Sequence, residues 1–484
     1  MRFRYFDPQN DAEAAERARA IATMDALWRG FEDRLAAIER YLAGDRSWDM
    51  VDWFRQAVDA VHRGLMWEFG PGPESNGTRG RMLIITPEHQ TPLRPLVDCL
   101  LSRAPTLPGW TFAGYRDPIP VGHVDTYVKA RTGGALDDVR VAVRGGDFRT
   151  IDLRFISPRY RVDDDQSHHE AVIAAEALLG EEMLEQWIGA IDAGSPDDDP
   201  PRVILALDRL RPTVEALVHS LREQLPDEPA YLTLDVADEQ ALLEMGLLGP
   251  LSDDDDDDEG FDPGLITPFD PADAAPYEPP ANDLDDASAG DAFGVPSEDG
   301  LDEGDDADDD GDAEDEDGIG FGDEPVELAS MYRLHPDESA VQFVGRDDLY
   351  VASTYRKDLW LAIHGGSLFF DHRFTRRGDV FCYIKLTHGG DESQVDRTKF
   401  EREVDDALRA ESLGGVFASG AGLKHHYIDL ALTDLTAAMR IVRDVLRKCG
   451  APRQTWVLFF DDRLSLEWIG LEADTPAPLL PVID

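Results

Sequence analysis

Apolar residues recur at helical spacing over the first 65 residues of the chain. A first stripe has alternating steps of three and four residues: Ile21, Met24, Trp28, Phe31, Leu35, Ile38 and Leu42. A second stripe consists of Val51, Phe54, Val58 and Val61. Such spacing places each stripe on one face of a helix, and Gly44-Asp45-Arg46-Ser47 between them predicts a turn and a helix start. Residues 1–65 therefore predict a helical hairpin, which either packs on its own domain or pairs with a second copy.

From residue 66 onwards the pattern alternates between strand-like and helix-like segments. Strands are predicted at residues 66–69, 82–86, 110–115, 139–143, 151–156 and 203–207. Helices are predicted at residues 93–101, 123–130, 171–191 and 214–221. The glycine-rich stretches Gly70-Pro71-Gly72-Pro73 and Gly145-Gly146-Asp147 predict turns between strands. Residues 66–250 are therefore predicted to form one α/β domain.

The C-terminal part, residues 326–484, has a more regular pattern. Strands are predicted at residues 380–386, 416–419, 427–432 and 456–460, with one more at 464–468, and helices at 400–410 and 435–448. The resulting order β-α-β-β-α-β is typical of the ferredoxin-like split unit. Such a unit buries one face of its sheet beneath two helices and leaves the other face free. The whole chain is thus predicted to be α+β, with a ferredoxin-like C-terminal domain.

An extreme concentration of acidic residues separates these two parts. No lysine or arginine occurs between Arg222 and Arg333, and residues 251–324 carry 31 of the 99 aspartates and glutamates of the 484-residue chain. This tract supplies -31 of the formal net charge of -53. A segment so charged and so poor in large apolar groups cannot bury enough surface to offset its ordering entropy. Residues 251–325 are therefore predicted to form a disordered acidic linker.

Charge, hydropathy and cysteine use narrow the functional class. With 99 acidic against 46 basic residues, binding of nucleic acid or of an anionic membrane surface is not expected, because both need clustered basic side chains. No run of about 18 apolar residues and no secretory signal is visible. The cysteines Cys99, Cys382 and Cys449 form no CxxC pair, which predicts free thiols in a reducing compartment. These features favour a cytoplasmic protein. They leave basic protein partners or cations possible and its oligomeric state open.

Two short motifs interrupt the acidic tract, Phe261-Asp262-Pro263 and Phe269-Asp270-Pro271. Apolar residues in a disordered acidic segment can dock into a partner, while the surrounding charge speeds the encounter with a basic surface. These six residues are the candidates for partner docking. The alternative is that the tract is a spacer whose phenylalanines have no role.

Several polar groups of the C-terminal part are candidates for chemistry. His425 and His426 lie near Asp429, but neighbouring residues of a strand point to opposite faces, so the two histidines cannot share one metal ion without distortion. Thr387-His388-Gly389-Gly390-Asp391 lies between a strand and a helix, where a glycine-rich backbone can hold an anion, although it lacks the glycine spacing of known phosphate loops. A plain strand-to-helix loop is the alternative.

Carboxylates form two further groups in the sequence. Asp461 and Asp462 follow a predicted strand near Glu467, and paired acids can bind Mg²⁺ or act as acid and base. Asp461-Asp462-Arg463 is also typical of a hairpin turn between two strands, and this is the preferred interpretation. In the acidic tract, six residues fall on EF-hand offsets: Asp306, Asp308, Asp310, Gly311, Asp312 and Glu314. The twelfth position is Asp317 instead of glutamate and no helix flanks the loop, so no specific metal site is expected.

No catalytic motif is recognisable in the chain. It contains no Gly-x-Ser-x-Gly elbow and no HExxH motif. The sequence therefore names no catalytic residue, cofactor or metal. The pair His168-His169 is interpreted as surface histidines, with a metal site as the alternative. An enzyme or small-ligand binder that uses His388, His425, Asp461 or Asp462 remains the alternative function.

Two stretches carry a resemblance to known families. Trp67-Glu68-Phe69-Gly70-Pro71-Gly72, followed by residues 81–87, Ala104-Pro105 and Pro108-Gly109-Trp110, resembles the N-terminal domain of a group of uncharacterised bacterial proteins. Residues 420–434, within the β-α-β-β-α-β pattern, are similar to small acidic regulators that inhibit a bacterial endoribonuclease by binding it. The first resemblance implies no known activity, and the second implies a role in binding protein. The leading prediction is a non-enzymatic interaction or regulatory protein that binds partners through the free sheet face or the Phe-Asp-Pro motifs.

Overall fold

The computed structural model describes residues 2–75, 78–162, 164–196, 204–234, 236–237, 326–327, 329–334, 345–388 and 397–480. Helices and strands are mixed throughout these ranges, so the α+β class is confirmed. The predicted linker, both Phe-Asp-Pro motifs and the EF-hand offsets lie outside the described residues, as do residues 389–396 of the glycine-rich loop.

The N-terminal helical hairpin forms and packs on a small sheet of strand order β1-β2-β3. The elements are α1 (Asp11–Leu42), α2 (Met50–Asp59), β1 (Met66–Ser75), β2 (Thr78–Thr86), α3 (Arg94–Leu101) and β3 (Trp110–Ala113). The Asn10 side chain caps α1 by accepting the N–H of Glu13, and the Asp49 side chain caps α2 by accepting the N–H of Asp52. Both helices bury their apolar stripes against the sheet, so the hairpin is part of this core.

The predicted turn at Gly70-Pro71-Gly72-Pro73 was wrong, because these residues lie inside β1 with a bulge between Pro71 and Glu74. As β1 is an edge strand, its prolines need not donate a ladder hydrogen bond. A Cβ on Gly72 would come within 2.7–2.9 Å of the Arg81 backbone, so glycine permits the close pairing of β1 with β2.

A second sheet has the strand order β6-β5-β4-β7. Its strands are β4 (Arg140–Gly145), β5 (Ile151–Ile156), β6 (Ile188–Gly194) and β7 (Ile204–Leu205), and its helices are α4 (Val121–Thr132), α5 (Asp165–Leu179), α6 (Glu181–Trp187) and α7 (Leu210–Glu223). The single helix predicted at residues 171–191 was wrong: it breaks at Gly180, whose φ of 83° and ψ of 160° suit glycine alone, and ends in β6.

The largest sheet lies in the C-terminal part, with seven antiparallel strands in the order β10-β11-β13-β14-β12-β15-β16. Its strands are β10 (Ser330–Arg333), β11 (Leu349–Thr354), β12 (Val380–Thr387), β13 (Gly414–Gly422), β14 (His425–Leu432), β15 (Thr455–Phe459) and β16 (Trp468–Gly470). The helices are α8 (Lys357–His364), α9 (Arg397–Ala410) and α10 (Leu435–Cys449). Two short strands, β8 (Val236–Ala237) and β9 (Val326–Glu327), precede it in the chain.

One face of this sheet packs under α9 and α10, as predicted. The prediction that the other face is free was wrong. Its central residues are nearly or fully buried: Tyr383 is 5%, Lys385 3%, and Tyr427 and Asp429 0% exposed. Trp360 of α8 and Tyr231 belong to the apolar core on this face. The pattern of the four central strands did not reveal this cover, because it comes from other segments of the chain.

The N-terminal part and the C-terminal part pack into one compact unit, Met1–Ala237 with Glu327–Asp484. The Arg373 guanidinium donates to the Gln186 carbonyl (2.7 Å), and the N–H of Ala230 donates to the Asp379 carboxylate (2.9 Å). The two domains predicted from sequence, residues 66–250 and 326–484, therefore contact each other where the structure describes them. In the described ranges, no helix is long and apolar enough to cross a membrane.

Candidate functional site

The polar groups singled out from sequence do not converge on one site. At one end of β12, Thr387 pairs with His425, and His388 follows directly. At the other end, Cys382 pairs with Phe459 of β15, and Asp461 follows two residues later. The intervening strand spans roughly 20 Å, since a strand rises about 3.3 Å per residue. The histidine candidates and the Asp461 candidates therefore form separate clusters.

Asp348 organises the histidine cluster, although the sequence analysis did not identify it. Its Oδ2 accepts the N–H groups of Lys424 (2.9 Å) and His425 (3.1 Å) and lies 3.0 Å from His425 Nδ1, and the Tyr427 hydroxyl donates to Oδ1. Burial by itself would raise the pKa of Asp348, but the hydrogen bonds from His425, Tyr427 and Lys424 lower it to about 2. This carboxylate stays ionised and joins β14 to the segment before β11.

His425 and His426 have different partners, as the strand alternation predicted. His425 binds Asp348, whereas the ring of His426 stacks on that of His388 with centroids 4.5 Å apart. His388 Nε2 lies 3.0 Å from the Gly422 carbonyl. Across the described ranges, no three His, Cys, Asp or Glu side chains are grouped to hold a metal ion.

Asp429 forms a buried ion pair with Arg346, a second residue that the sequence analysis missed. Arg346 Nη1 donates to Asp429 Oδ2 at 2.7 Å, and their side chains are 9% and 0% exposed. Four rings lie 5.1–5.6 Å from the guanidinium carbon: Trp360, Tyr383, Tyr427 and Phe460. Burial raises the pKa of Asp429 to about 6, although Arg346 opposes this shift. The pair points into the protein, against the covered sheet face.

Lys385 lies on the same face as this ion pair. Its Nζ donates to the Gly345 carbonyl (2.6 Å), and burial lowers its pKa to about 8. Gly345 and Arg346 belong to the short segment before β11. Lys385 binds the carbonyl of Gly345, and Arg346 binds Asp429, so both contacts hold this segment on the sheet.

Asp461 is fully buried and is held by two neighbours. Arg463 donates to it through Nε (2.9 Å) and Nη2 (2.6 Å), and the N–H of Asp371 donates at 3.1 Å. Burial, and then the nearby Asp461 carboxylate, raise the pKa of Asp371 well above its ordinary value. Arg463 is therefore the counter-ion of Asp461.

Of the other two carboxylates of this predicted group, Asp462 binds the same segment as Asp461 and Glu467 binds a different one. Asp462 accepts the N–H of Phe369, and burial raises its pKa to about 6. Glu467 is 2% exposed and accepts three consecutive backbone N–H groups, those of Phe3 (2.6 Å), Arg4 and Tyr5 (2.7 Å). The sequence placed these acids together, but in the structure Asp461 and Asp462 hold residues 369–371, whereas Glu467 holds residues 3–5. Asp461-Asp462-Arg463 lies between the antiparallel strands β15 and β16, in agreement with its interpretation as a hairpin connection.

A groove of about 800 Å³, open to solvent, runs between residues 2–9, α10 and residues 469–473. Arginines dominate its charged lining: Arg2, Arg4, Arg440, Arg443 and Arg447, against Asp7, Asp444 and Glu472. We call it the arginine groove. Leu435, Met439 and Leu471 contribute apolar surface between the charges. Arg440, Arg443 and Arg447 recur at steps of three and four, so they share one face of α10.

The five arginines differ in how far their charge is already compensated. Arg2 pairs with Glu13, and Arg447 pairs with Glu472 (2.8 Å). In contrast, Arg4, Arg440 and Arg443 have no carboxylate oxygen within 4.0 Å among the described residues. Arg443 donates to the Gly470 carbonyl at 2.8 Å, and burial lowers its pKa. Uncompensated positive charge is therefore concentrated on a surface of an otherwise strongly acidic chain.

Only one wall of this groove could be predicted from the sequence. The arginine spacing is visible in the helix predicted at residues 435–448. The opposite wall is not visible, because residues 2–9 are positioned by the distant Glu467 and by Arg2, which donates to the Trp468 carbonyl.

Comparison with known proteins yields no match: no family model, curated protein or solved structure is significantly similar to the chain. Both resemblances drawn from sequence therefore stay predictions. The proposals that follow are based on the geometry of the described residues.

Proposed function

We propose that this chain is a non-enzymatic interaction protein that binds a partner protein in the arginine groove. The groove itself is the observation that carries the proposal. It combines arginines with tyrosine, methionine and leucine, the residue types that are enriched or common where proteins meet. Its opening to solvent distinguishes it from the buried clusters around Asp348, Asp429 and Asp461.

The alternative function is an enzyme or small-ligand binder. The arrangement of the residues proposed for its site gives this alternative less support than the interaction protein has. His425 and Asp461 are bound to internal partners and lie towards opposite ends of β12. Catalysis needs groups that converge on one reacting atom. The two clusters lie too far apart to act together on one such atom.

The fold assignment that accompanies this proposal is ferredoxin-like. It is supported by the element order β12-α9-β13-β14-α10-β15 and by the antiparallel strand order β13-β14-β12-β15. In this frame α10 packs on the sheet through Ala438, Val442 and Leu446, and Arg440, Arg443 and Arg447 lie on its groove side. Since this architecture hosts many unrelated activities, the assignment adds no function of its own.

We propose that the acidic tract provides a second binding site for a partner protein. Its charge favours a basic partner, and Phe261-Asp262-Pro263 and Phe269-Asp270-Pro271 are the proposed anchors. A cytoplasmic location completes this proposal and agrees with three free cysteines. Deletion of residues 253–317 tests the tract: partners that depend on it are lost from affinity capture, and an unchanged set of partners removes its docking role.

Site-specific cross-linking tests binding in the groove. A photoreactive amino acid replaces Thr436, which lines the groove, or Ser220, an exposed residue of α7 that does not. We expect a partner cross-linked from position 436 but not from 220, and we expect Arg440→Glu to abolish this product. Equal products from both positions, or a product that survives Arg440→Glu, would contradict a specific partner in the groove.

Charge reversal of an arginine outside the groove provides the matched control. Arg29 is an exposed residue of α1 and does not line the groove. Arg29→Glu makes the same change in net charge as Arg440→Glu, so it is expected to leave the cross-linked product intact. Loss of the product in both variants would mean that overall charge, not the groove, governs binding.

A further inference from the structure

The charge and shape of the arginine groove indicate the chemistry of its occupant. We infer that it binds an acidic protein segment in extended form, with carboxylates on the arginines and apolar side chains on the floor. This inference rests on the proposed function and adds the class of partner to it.

The first step is the sign of the local charge. Five arginines face three carboxylates in the lining, in a chain whose net charge is -53. Arg4 and Arg440 are exposed, and neither has a carboxylate oxygen within 4.0 Å among the described residues. Guanidinium groups bind carboxylates through paired, charge-assisted hydrogen bonds. An acidic segment compensates these charges, whereas a basic segment meets repulsion.

The second step is the partial burial of Arg443. This arginine already donates twice to the Gly470 carbonyl, which fixes its guanidinium in the groove wall. Burial disfavours its charged form, so a carboxylate that replaces solvent there gains more than one at a fully exposed arginine. Arg443 is thus the position where a partner carboxylate is expected to bind most specifically.

The third step is length. The α10 wall runs from Leu435 to Arg447, about 18 Å at 1.5 Å per helical residue. An extended peptide rises about 3.3 Å per residue, so roughly five or six residues fit along it. Side chains of such a peptide alternate between two sides. Alternating acidic and apolar residues would therefore place carboxylates towards the arginines and apolar groups towards Met439 and Leu471.

The test measures binding of synthetic peptides to the full chain by fluorescence anisotropy. The probe is a labelled six-residue peptide that alternates glutamate and leucine, and the matched peptide has glutamine in place of glutamate. We expect the glutamate peptide to bind at least about tenfold more tightly than the glutamine peptide, and more weakly as salt rises. Equal affinity of the two peptides would overturn the inference.

Two single substitutions locate the binding. Arg440→Gln is expected to weaken the glutamate peptide about fivefold to tenfold, and Arg29→Gln to leave it unchanged. The Arg440 side chain is exposed and has no hydrogen bond or ion pair with another described residue, so its replacement should leave the thermal unfolding midpoint unchanged. Full peptide affinity in Arg440→Gln would overturn the inference.

Two further arms separate the possible failures. The peptide is also titrated into the chain that lacks residues 253–317, because that deletion removes most competing carboxylates of the same molecule. Inorganic phosphate is titrated as a competitor, and tight phosphate binding that displaces the peptide at low concentration would reassign the groove to a small anion. If no acidic peptide binds but the product from position 436 still depends on Arg440, the proposed function stands and this inference fails.

Discussion

Asp348 shows how a fully buried carboxylate retains its charge in this protein. Four donors surround its two oxygens, from the backbone of Lys424 and His425 and from the His425 and Tyr427 side chains. Hydrogen bonds to the ionised form offset the cost of burial, so the pKa is about 2. The charge therefore stabilises the fold by joining β14 to the segment before β11.

The acid stability of the protein is expected to depend on Asp348. Its folded pKa is lower than the ordinary value of about 3.9, so its contribution is complete above about pH 4 and is lost as the pH falls towards 2. A shift of almost two pKa units corresponds to roughly 2–3 kcal/mol. Asp348→Asn should lower the free energy of unfolding by about this amount at pH 7 and flatten its fall between pH 4 and 2.

Chemical denaturation at pH 7, 4 and 2.5 measures this effect. Asp33→Asn is the control, because Asp33 is an exposed residue of α1. A variant Asp348→Asn that is as stable as the original chain at pH 7 would contradict the assigned role.

The residues of the buried polar clusters, and above all their partners, were the hardest features to predict from the sequence. His425, His426 and Asp461 were identifiable by type, but Arg346 and Asp348 were not, since nothing nearby in the chain indicates their partners. Arg346 binds Asp429, 83 positions away, and Asp348 binds His425, 77 positions away. Such pairings arise from strand order, which the local pattern does not encode.

Helices and strands were predicted more accurately than single-residue contacts, wherever the apolar pattern was clear. Strand β5 was predicted with its observed bounds, Ile151–Ile156, and α10 to within one residue of Leu435–Cys449. Element bounds were mispredicted at two glycines, where the local backbone conformation differs from what the apolar pattern indicates. Gly72 lies inside a strand because its backbone approaches Arg81, and Gly180 breaks what the apolar pattern showed as one helix.

The break between α5 and α6 provides a test at this scale. Gly180 has φ of 83°, and a Cβ there would lie 2.9 Å from Pro118 Cδ and 3.1 Å from the Arg116 carbonyl oxygen. Gly180→Ala should therefore lower the free energy of unfolding by about 1–3 kcal/mol, through backbone strain and this contact. Thermal and urea denaturation provide the measurement.

Gly122 provides the matched comparison for this substitution. It lies in α4, and a Cβ there meets no atom within 4 Å. Gly122→Ala should be neutral or stabilise by up to about 1 kcal/mol, because alanine is the better helix former. Equal effects at the two glycines would contradict the assigned strain at Gly180.

On the scale of the whole molecule, the parts on either side of the acidic tract form one compact unit. The sequence could not show this, because the contacts depend on residues far apart, such as Arg373 with the Gln186 carbonyl. The same packing covers the face of the C-terminal sheet that was predicted from sequence to be free. It also builds one wall of the arginine groove from residues 2–9, which Glu467 holds.

One cooperative unfolding transition is therefore expected for this unit. Glu467→Ala removes the acceptor of the N–H groups of Phe3, Arg4 and Tyr5, which should cost about 3 kcal/mol and shift the whole transition. Differential scanning calorimetry measures it, with Glu32→Ala on the exposed side of α1 as the control. Two separate transitions, of which Glu467→Ala moves one alone, would show that the parts unfold independently.

The central claim, that the arginine groove binds an acidic segment, is tested most directly by hydrogen–deuterium exchange of the full chain with and without the glutamate–leucine peptide. The account predicts slower exchange in residues 2–9 and 469–473 when the peptide is present at a concentration near its Kd, and a clearly smaller change in Arg440→Gln at the same peptide concentration. Protection confined to other parts of the chain, or equal protection in Arg440→Gln, would contradict it.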